Sequence, residues 1–417
     1  MMSNLRLPER GILTIIVLMM SVYLFIDFSY GALVLAGLSG AKVSLAFKAL
    51  LLSLITAYLA VASPRYAIIC VFAVTVFLVP IILTLLRQAD LSGFVYNLTF
   101  ASKFLAPILV LCFWCAVSNK PKSVESSRFV LWCLTGAVVF NSLLGAAGIG
   151  FHSYGNPESG FGNPGLIFAA NEYGALLIVI VGFVLNESWL KGVVTFLLAA
   201  TLSLLVTIMV ATKTALLGVV MLVTLVPLFN ERNNLFRPTI IKVRILAFFL
   251  IVCFVLTFFA MQFVSDIRFF DRAVFFYEAG GISRLIFSGR DAMVGAMVSE
   301  FIDSGDPLHW VFGAPPSFFV AHAVKPSAEI DPFDLLVWFG PVSFMIVLTW
   351  IGIVLRLSWR ALSKVNYREA PAVISVNIAL LAAASIAGHV WTSGVVGVAW
   401  ATLNSTVFFP ERSLPKN

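Results

Sequence analysis

Polar residues interrupt this chain rarely and at nearly regular intervals. The apolar runs between them are about 20 residues long, enough for a helix to cross a bilayer core of roughly 30 Å. Twelve runs are predicted as spans, at roughly 11–28, 43–63, 66–86, 97–118, 129–149, 164–186, 190–211, 213–229, 243–263, 333–355, 371–390 and 393–409. The expected fold is all-α: a polytopic transmembrane helical bundle of about twelve spans, with one large external loop containing short helices. Residues 1–263 would hold spans one to nine, 264–332 the loop, and 333–417 spans ten to twelve with a cytoplasmic tail. The run from Gly11 to Ile26 lacks a small-residue cleavage site and reads as a retained first span. No repeat relates the two halves.

Composition agrees. Of 417 residues, 60% are hydrophobic and 11% charged, against about 25% charged in soluble domains. The net charge of +7 is what a positive-inside bias produces and does not point to nucleic acid. With both termini in the cytoplasm, seventeen of the 27 Lys and Arg residues fall inside, among them Lys120, Arg237 and Lys364. An odd number of spans would break this alternation. The five cysteines all lie in apolar runs. Cys112-Phe-Trp-Cys115 has the spacing of a redox or zinc half-site, but it sits mid-span without a second pair. It reads as small buried apolar residues. No metal and no cofactor are expected.

Candidate chemistry gathers around the external loop. Within it, "SGRDAMVGAMVSEFIDSGDP" reads as a helix along the outer membrane surface. Ser288 and Asp291 have capping-box spacing, Met293, Met297 and Phe301 recur at helical spacing, and Gly305 and Pro307 stop it. Arg290 then lies in a first helical turn, where guanidinium, free N–H groups and helix dipole all suit a phosphate. The plainer alternative is a surface Arg paired with Asp291 or a lipid headgroup. Lys213, between Thr212 and Thr214, has a similar setting, with Thr212 able to cap the eighth span; the alternative is a snorkelling lysine. Asp331-Pro332-Phe333-Asp334 suits N-cap, first and third positions of the tenth span. That leaves His322 and Glu329 as a candidate general base and its helper. A lone loop histidine is otherwise merely solvated.

Polar groups inside spans are costly and face a partner or a cavity. Asn171 and Glu172 fall about two turns into the sixth span, roughly 12 Å from its outer end. Lys103 lies in the fourth span, within geometric reach of Glu172, and His389 near the outer end of the eleventh. Before the sixth span, Tyr154-Gly-Asn-Pro157 and Phe161-Gly-Asn-Pro164 form a doublet of turn signals, with Asn163 and Pro164 suiting that span's N-cap and first position.

Three stretches, "ANEYGALLIVIVGFVL", "ATKTALLGVVMLV" and "SGRDAM…FGAPP…H…EIDPFDLLVWFG", together resemble the bacterial O-antigen polymerase and O-antigen ligase superfamily, including exopolysaccharide polymerases. The resemblance covers roughly 160–350. It implies a glycosyltransferase-type enzyme of the bacterial inner membrane that uses an undecaprenyl-diphosphate-linked oligosaccharide at the periplasmic face. Its partners would be the lipid bilayer and, in a polysaccharide pathway, a flippase and a chain-length regulator. Carried over, Arg290 matches the loop arginine that grips the diphosphate and His322 the loop histidine. Lys213 stands where an arginine is usual, and Arg284 joins the diphosphate-binding set. Glu329 and Asp331 match the acidic motif of exopolysaccharide polymerases, so His322, Glu329 and Asp331 form the expected catalytic set. Asn171, Glu172 and Lys103 are expected to line a cavity. The acidic motif favours polymerase over a ligase that moves finished glycan to lipid A core. A flippase or transporter would instead place its densest polar set at the membrane midplane.

Overall fold

A computed structural model of the protein describes residues 6–38, 43–120, 122–154, 162–232, 287–364 and 367–409, with a scatter of positions between 237 and 284. The elements among the described residues are all helices: α1 (Arg6–Leu35), α2 (Val43–Ala62), α3 (Pro64–Gln88), α4 (Leu91–Val117), α5 (Ser123–Ala146), α6 (Ala170–Lys191), α7 (Val193–Val210), α8 (Lys213–Asn230), α9 (Arg290–Asp303), α10 (Pro307–Phe312), α11 (Pro316–Ala321), α12 (Asp331–Ala361), α13 (Ala370–Ile386) and α14 (Gly397–Ser405). Nine of them, α1 to α8 and α12, are long and apolar enough to cross a membrane. The expected ninth span and the early part of the external loop fall largely outside the described residues, as do Cys253 and most of the first turn of the doublet.

α6 is buried along most of its length against α5, α7, α8 and α13. α3 turns Ile68, Val71 and Phe72 outward, as a lipid-facing helix can without penalty. At one end of the bundle, Arg128 pairs with both Glu187 and Glu369, and Arg368 joins Glu187 at 3.0 Å. This ties α5 and α6 to the start of α13. The opposite end carries the short helices α9 to α11 and the site described below.

The last two expected spans need correction. α13 has 17 residues and α14 nine, lengths of about 26 and 14 Å at 1.5 Å per residue. Between them residues 387–396 are unwound. Gly388 and His389 both take φ of 60°, a left-handed pair that stops a helix. The two short helices form a hairpin in which the Asn377 amide donates to Asn404 (2.7 Å) and accepts from Trp400 Nε1 (3.0 Å). Hydropathy reads straight through the break because Val390, Trp391, Val395 and Val396 are apolar and buried.

α6 begins at Ala170, six residues later than Pro164 suggests. Gly165 takes φ +68°, which no helix continues. Asn163 accepts from its N–H (2.8 Å) to make a turn, and Asn141 clamps the Pro164 carbonyl and the Leu166 N–H, each at 2.8 Å. Glu172 is therefore the third residue of its helix, at the bundle end and not two turns inside.

α12 is kinked at Gly340, φ 76°, followed by Pro341. Proline has no N–H for the Val337 carbonyl one turn back. The Ala314 N–H takes that carbonyl at 2.7 Å, which seats the link between α10 and α11 against the kink. Reciprocal bonds between Asn97 and Ser317 (2.8 and 2.9 Å) fix α11 to α4.

Candidate functional site

Two buried carboxylates of α12 shape the site, and neither caps its own helix as the sequence suggests. The N-cap of α12 is Ile330, without a side-chain bond. Asp331 reaches across to the unwound segment. Its Oδ1 accepts from the His389 N–H (3.0 Å) and the Thr392 hydroxyl (3.1 Å), and its Oδ2 from the N–H groups of Val390 (2.7 Å) and Trp391 (2.8 Å). Consecutive N–H groups outside a helix have no backbone acceptor, and one carboxylate has about four lone-pair sites to give them. Asp334 does the same for the preceding loop, accepting from the Ser327 hydroxyl (2.7 Å), the Ala328 N–H (2.8 Å) and the Glu329 N–H (3.1 Å). The turn so formed holds Glu329 at φ +59°. Gly388 lies against it so closely that a Cβ there would collide with the Glu329 carbonyl.

The Glu329 carboxylate gathers three basic side chains. Lys325 Nζ is at 2.6 Å, Arg290 Nη2 at 2.9 Å and His389 Nε2 at 3.8 Å. Burial alone would raise the Glu329 carboxyl. His389, Lys325 and Arg290 outweigh it and hold the group well below the ordinary carboxylate range. Burial likewise disfavours the His389 imidazolium, but Glu329, Asp331 and Glu172 outweigh it and raise its pKa. Arg290 is buried, and its Nε has no hydrogen-bond partner among the described residues.

Arg290 opens α9, as expected, but the capping box does not form. Ser288 and Gly289 enter the helix with φ of 54° and 86°, and the Ser288 hydroxyl instead accepts from Lys213 Nζ at 2.9 Å. That bond brings Lys213, at the start of α8, to the N-terminus of α9. Thr212 does cap α8, through the Ala215 N–H at 3.3 Å. Arg284 pairs with Asp291 at 3.7 Å, with both side chains at least a third exposed. It stands apart from the Glu329 cluster.

The expected partnership of His322 with Glu329 is absent. His322 Nδ1 lies 2.8 Å from the Phe318 carbonyl and its Nε2 3.7 Å from Glu300. A carbonyl only accepts, so Nδ1 carries the proton. Glu300 is ten residues along α9 from Arg290, about 15 Å at the helical rise. The imidazole beside Glu329 is His389, delivered by the break between α13 and α14. The clue in the sequence is Gly388-His389, a glycine and an ionisable group inside an otherwise oily run.

The other end of the unwound segment meets a second polar group. Glu172 Oε2 accepts from the Ser393 hydroxyl (3.0 Å) and the Gly394 N–H (3.1 Å), and Oε1 lies 3.2 Å from Lys103 Nζ. Beside them Lys48 pairs with Asp27 at 2.8 Å. Ser44 donates to Asp27, and the Tyr23 hydroxyl to the Gly394 carbonyl. Lys48, Lys103, Asp27 and Glu172 line a cavity of about 390 Å³. Asn171 is not among its walls, because adjacent helical positions point about 100° apart. Asp27 and Lys48 escaped the sequence reading although each is a lone charge in an oily stretch. Among the described residues no three His, Cys, Asp or Glu side chains are grouped as metal ligands. No family model matches the chain, and no curated protein matches it.

Proposed function

We propose that the protein is a membrane polymerase that joins undecaprenyl-diphosphate-linked oligosaccharide units at the periplasmic face. The observation that carries this is the convergence of Arg290, Lys325 and His389 on one carboxylate at the N-terminus of α9. Cations outnumber the carboxylate they share, and Arg290 Nε is a buried donor with nothing to bond among the described residues. A diphosphate satisfies both conditions. Lys213, held at the same helix start by Ser288, adds a further charge. The resemblance in sequence points to the same substrate.

In this reading an acceptor hydroxyl attacks the anomeric carbon of the lipid-linked glycan. The new bond is the glycosidic one, and the bond that breaks joins that carbon to the diphosphate oxygen. Arg290, Lys325 and Lys213 neutralise the leaving group. Two or three charge-assisted contacts of about 1.5–3 kcal/mol each supply several powers of ten in rate, since about 1.4 kcal/mol is tenfold. The hydroxyl proton goes to His389, whose imidazole is oriented by Glu329. Glu329 itself is a weak base because Lys325 and Arg290 keep it ionised. Asp331 acts as a positioning residue through its grip on the His389 backbone.

His389→Asn tests the proton step. Asparagine tolerates the left-handed backbone at this position and leaves the N–H bonded to Asp331, but it is not a base. Elongation should fall about 10²–10⁴-fold with little change in melting temperature. A general base works when neutral, so the wild-type rate should climb as pH rises through the raised His389 value, on a limb above about pH 6.5. The variant should lose that limb. His322→Ala should stay within about tenfold of wild type, because its ring lies by Glu300, about 15 Å along α9 from Arg290. The reverse pattern, an inactive His322→Ala and an active His389→Asn, would return the base to the external loop.

A further inference from the structure

The cavity beside Glu172 plays no part in the proton or diphosphate steps. Its volume of about 390 Å³ falls within the range of small-molecule sites, about 300–1,000 Å³. Its charged walls come in pairs, Lys48 with Asp27 and Lys103 with Glu172, so their formal charges cancel. Asp27 is buried. Its Oδ1 takes both Ser44 and Lys48, while its Oδ2 is buried without a donor among the described residues. Such an orphaned acceptor is costly unless something fills it. An ammonium has three N–H donors, and Lys48 and Lys103 are each paired with one carboxylate, so both have donors to spare.

Spare donors beside an orphaned acceptor suit a group that donates and accepts at once, which is a hydroxyl. An anion in the cavity would meet Asp27 and Glu172, and a cation would meet two ammonium groups. The rings of Tyr30 and Phe168 also line the cavity, and Phe168 is 73% exposed. Aromatic rings pack favourably against the C–H side of a sugar ring. We infer that this cavity binds a neutral sugar residue, one hydroxyl of which donates to Asp27 Oδ2 and accepts from Lys48. Resting on the polymerase reading, it seats part of the acceptor glycan. Gly394 on its wall is five residues from His389, a separation of at most about 18 Å along an extended chain, so one oligosaccharide reaches both places.

The test uses the full-length protein in lipid nanodiscs. Methyl glycosides of glucose, galactose, mannose and N-acetylglucosamine are titrated by ligand-observed NMR, with glucuronate and glucosamine as charged controls. At least one neutral glycoside should bind saturably. Asp27→Asn and Phe168→Ala should each weaken it about tenfold, the effect of one lost charge-assisted or stacking contact. Phe168 sits at an exposed rim, so its variant serves even if Asp27→Asn misfolds. His322→Ala, away from the cavity, should leave sugar binding unchanged. The inference is overturned if no neutral glycoside saturates, if the charged controls bind as tightly, or if both cavity variants bind like wild type because Asp27 holds only a water. Saturable sugar binding in a protein that elongates no glycan would overturn the polymerase reading and leave the cavity assignment standing.

Discussion

Arg290→Ala should reduce glycan elongation by about 10²–10⁴-fold, a loss as large as that expected of His389→Asn. A guanidinium fork makes two charge-assisted contacts with a phosphate. At about 1.5–3 kcal/mol each, their loss is about 3–6 kcal/mol of transition-state stabilisation. The side chain is buried, and it pairs with Glu329 at 2.9 Å, so the alanine variant also loses stability. Arg290→Lys separates the two effects. Lysine keeps the charge beside Glu329 and supports the fold, but it is a point charge without the fork. Its melting temperature should lie near wild type while its rate lies between the wild type and the alanine variant. Elongation assays on purified protein, alongside thermal melts, distinguish these cases. An alanine variant that elongates at the wild-type rate would refute the proposed diphosphate-binding role of Arg290.

Asp331→Asn should be the most damaging conservative substitution for stability. Each carboxylate oxygen accepts two donors, drawn from the N–H groups of His389, Val390 and Trp391 and from the Thr392 hydroxyl. An asparagine amide nitrogen would face either two N–H groups or an N–H and a hydroxyl. Turning the nitrogen towards Oδ1, where the hydroxyl can rotate, still leaves the His389 N–H unsatisfied and adds a buried amide to place. Each unsatisfied donor costs about 1–3 kcal/mol, so the loss is about 2–6 kcal/mol. Asp334→Asn should be milder. The Ser327 hydroxyl beside Oδ2 can switch from donor to acceptor. Melting temperatures of the two variants in detergent check the order. The capping role that the sequence suggests for Asp331 would make its asparagine variant nearly silent, so a silent Asp331→Asn would restore that role.

Helices bounded by punctuation were legible in the sequence. α2 and α8 begin where expected and end within a residue of it, because polar turns and the Thr212 cap mark their ends. The α13–α14 break was not legible, since the donors at 389–392 are satisfied by a carboxylate on α12 and no local proline announces them. Glu172 was placed too deep because Pro164 looks like a helix start, whereas Gly165 adopts a conformation that delays the helix to Ala170. Arg290 and Glu329 stood out as charges in an external loop, yet their meeting depends on a left-handed turn set by Asp334. His389 reaches them from another pair of helices altogether. Pairing of this kind is a tertiary property, and residue spacing along one segment does not encode it.

The most direct test of the account is reconstitution. The purified protein is placed in sealed liposomes with undecaprenyl-diphosphate-linked oligosaccharide, without nucleotide and without an ion gradient. The account predicts a ladder of longer lipid-linked glycans, with one undecaprenyl diphosphate released for each new bond. Glycans of unchanged length, whether left in place or moved across the bilayer, would contradict it.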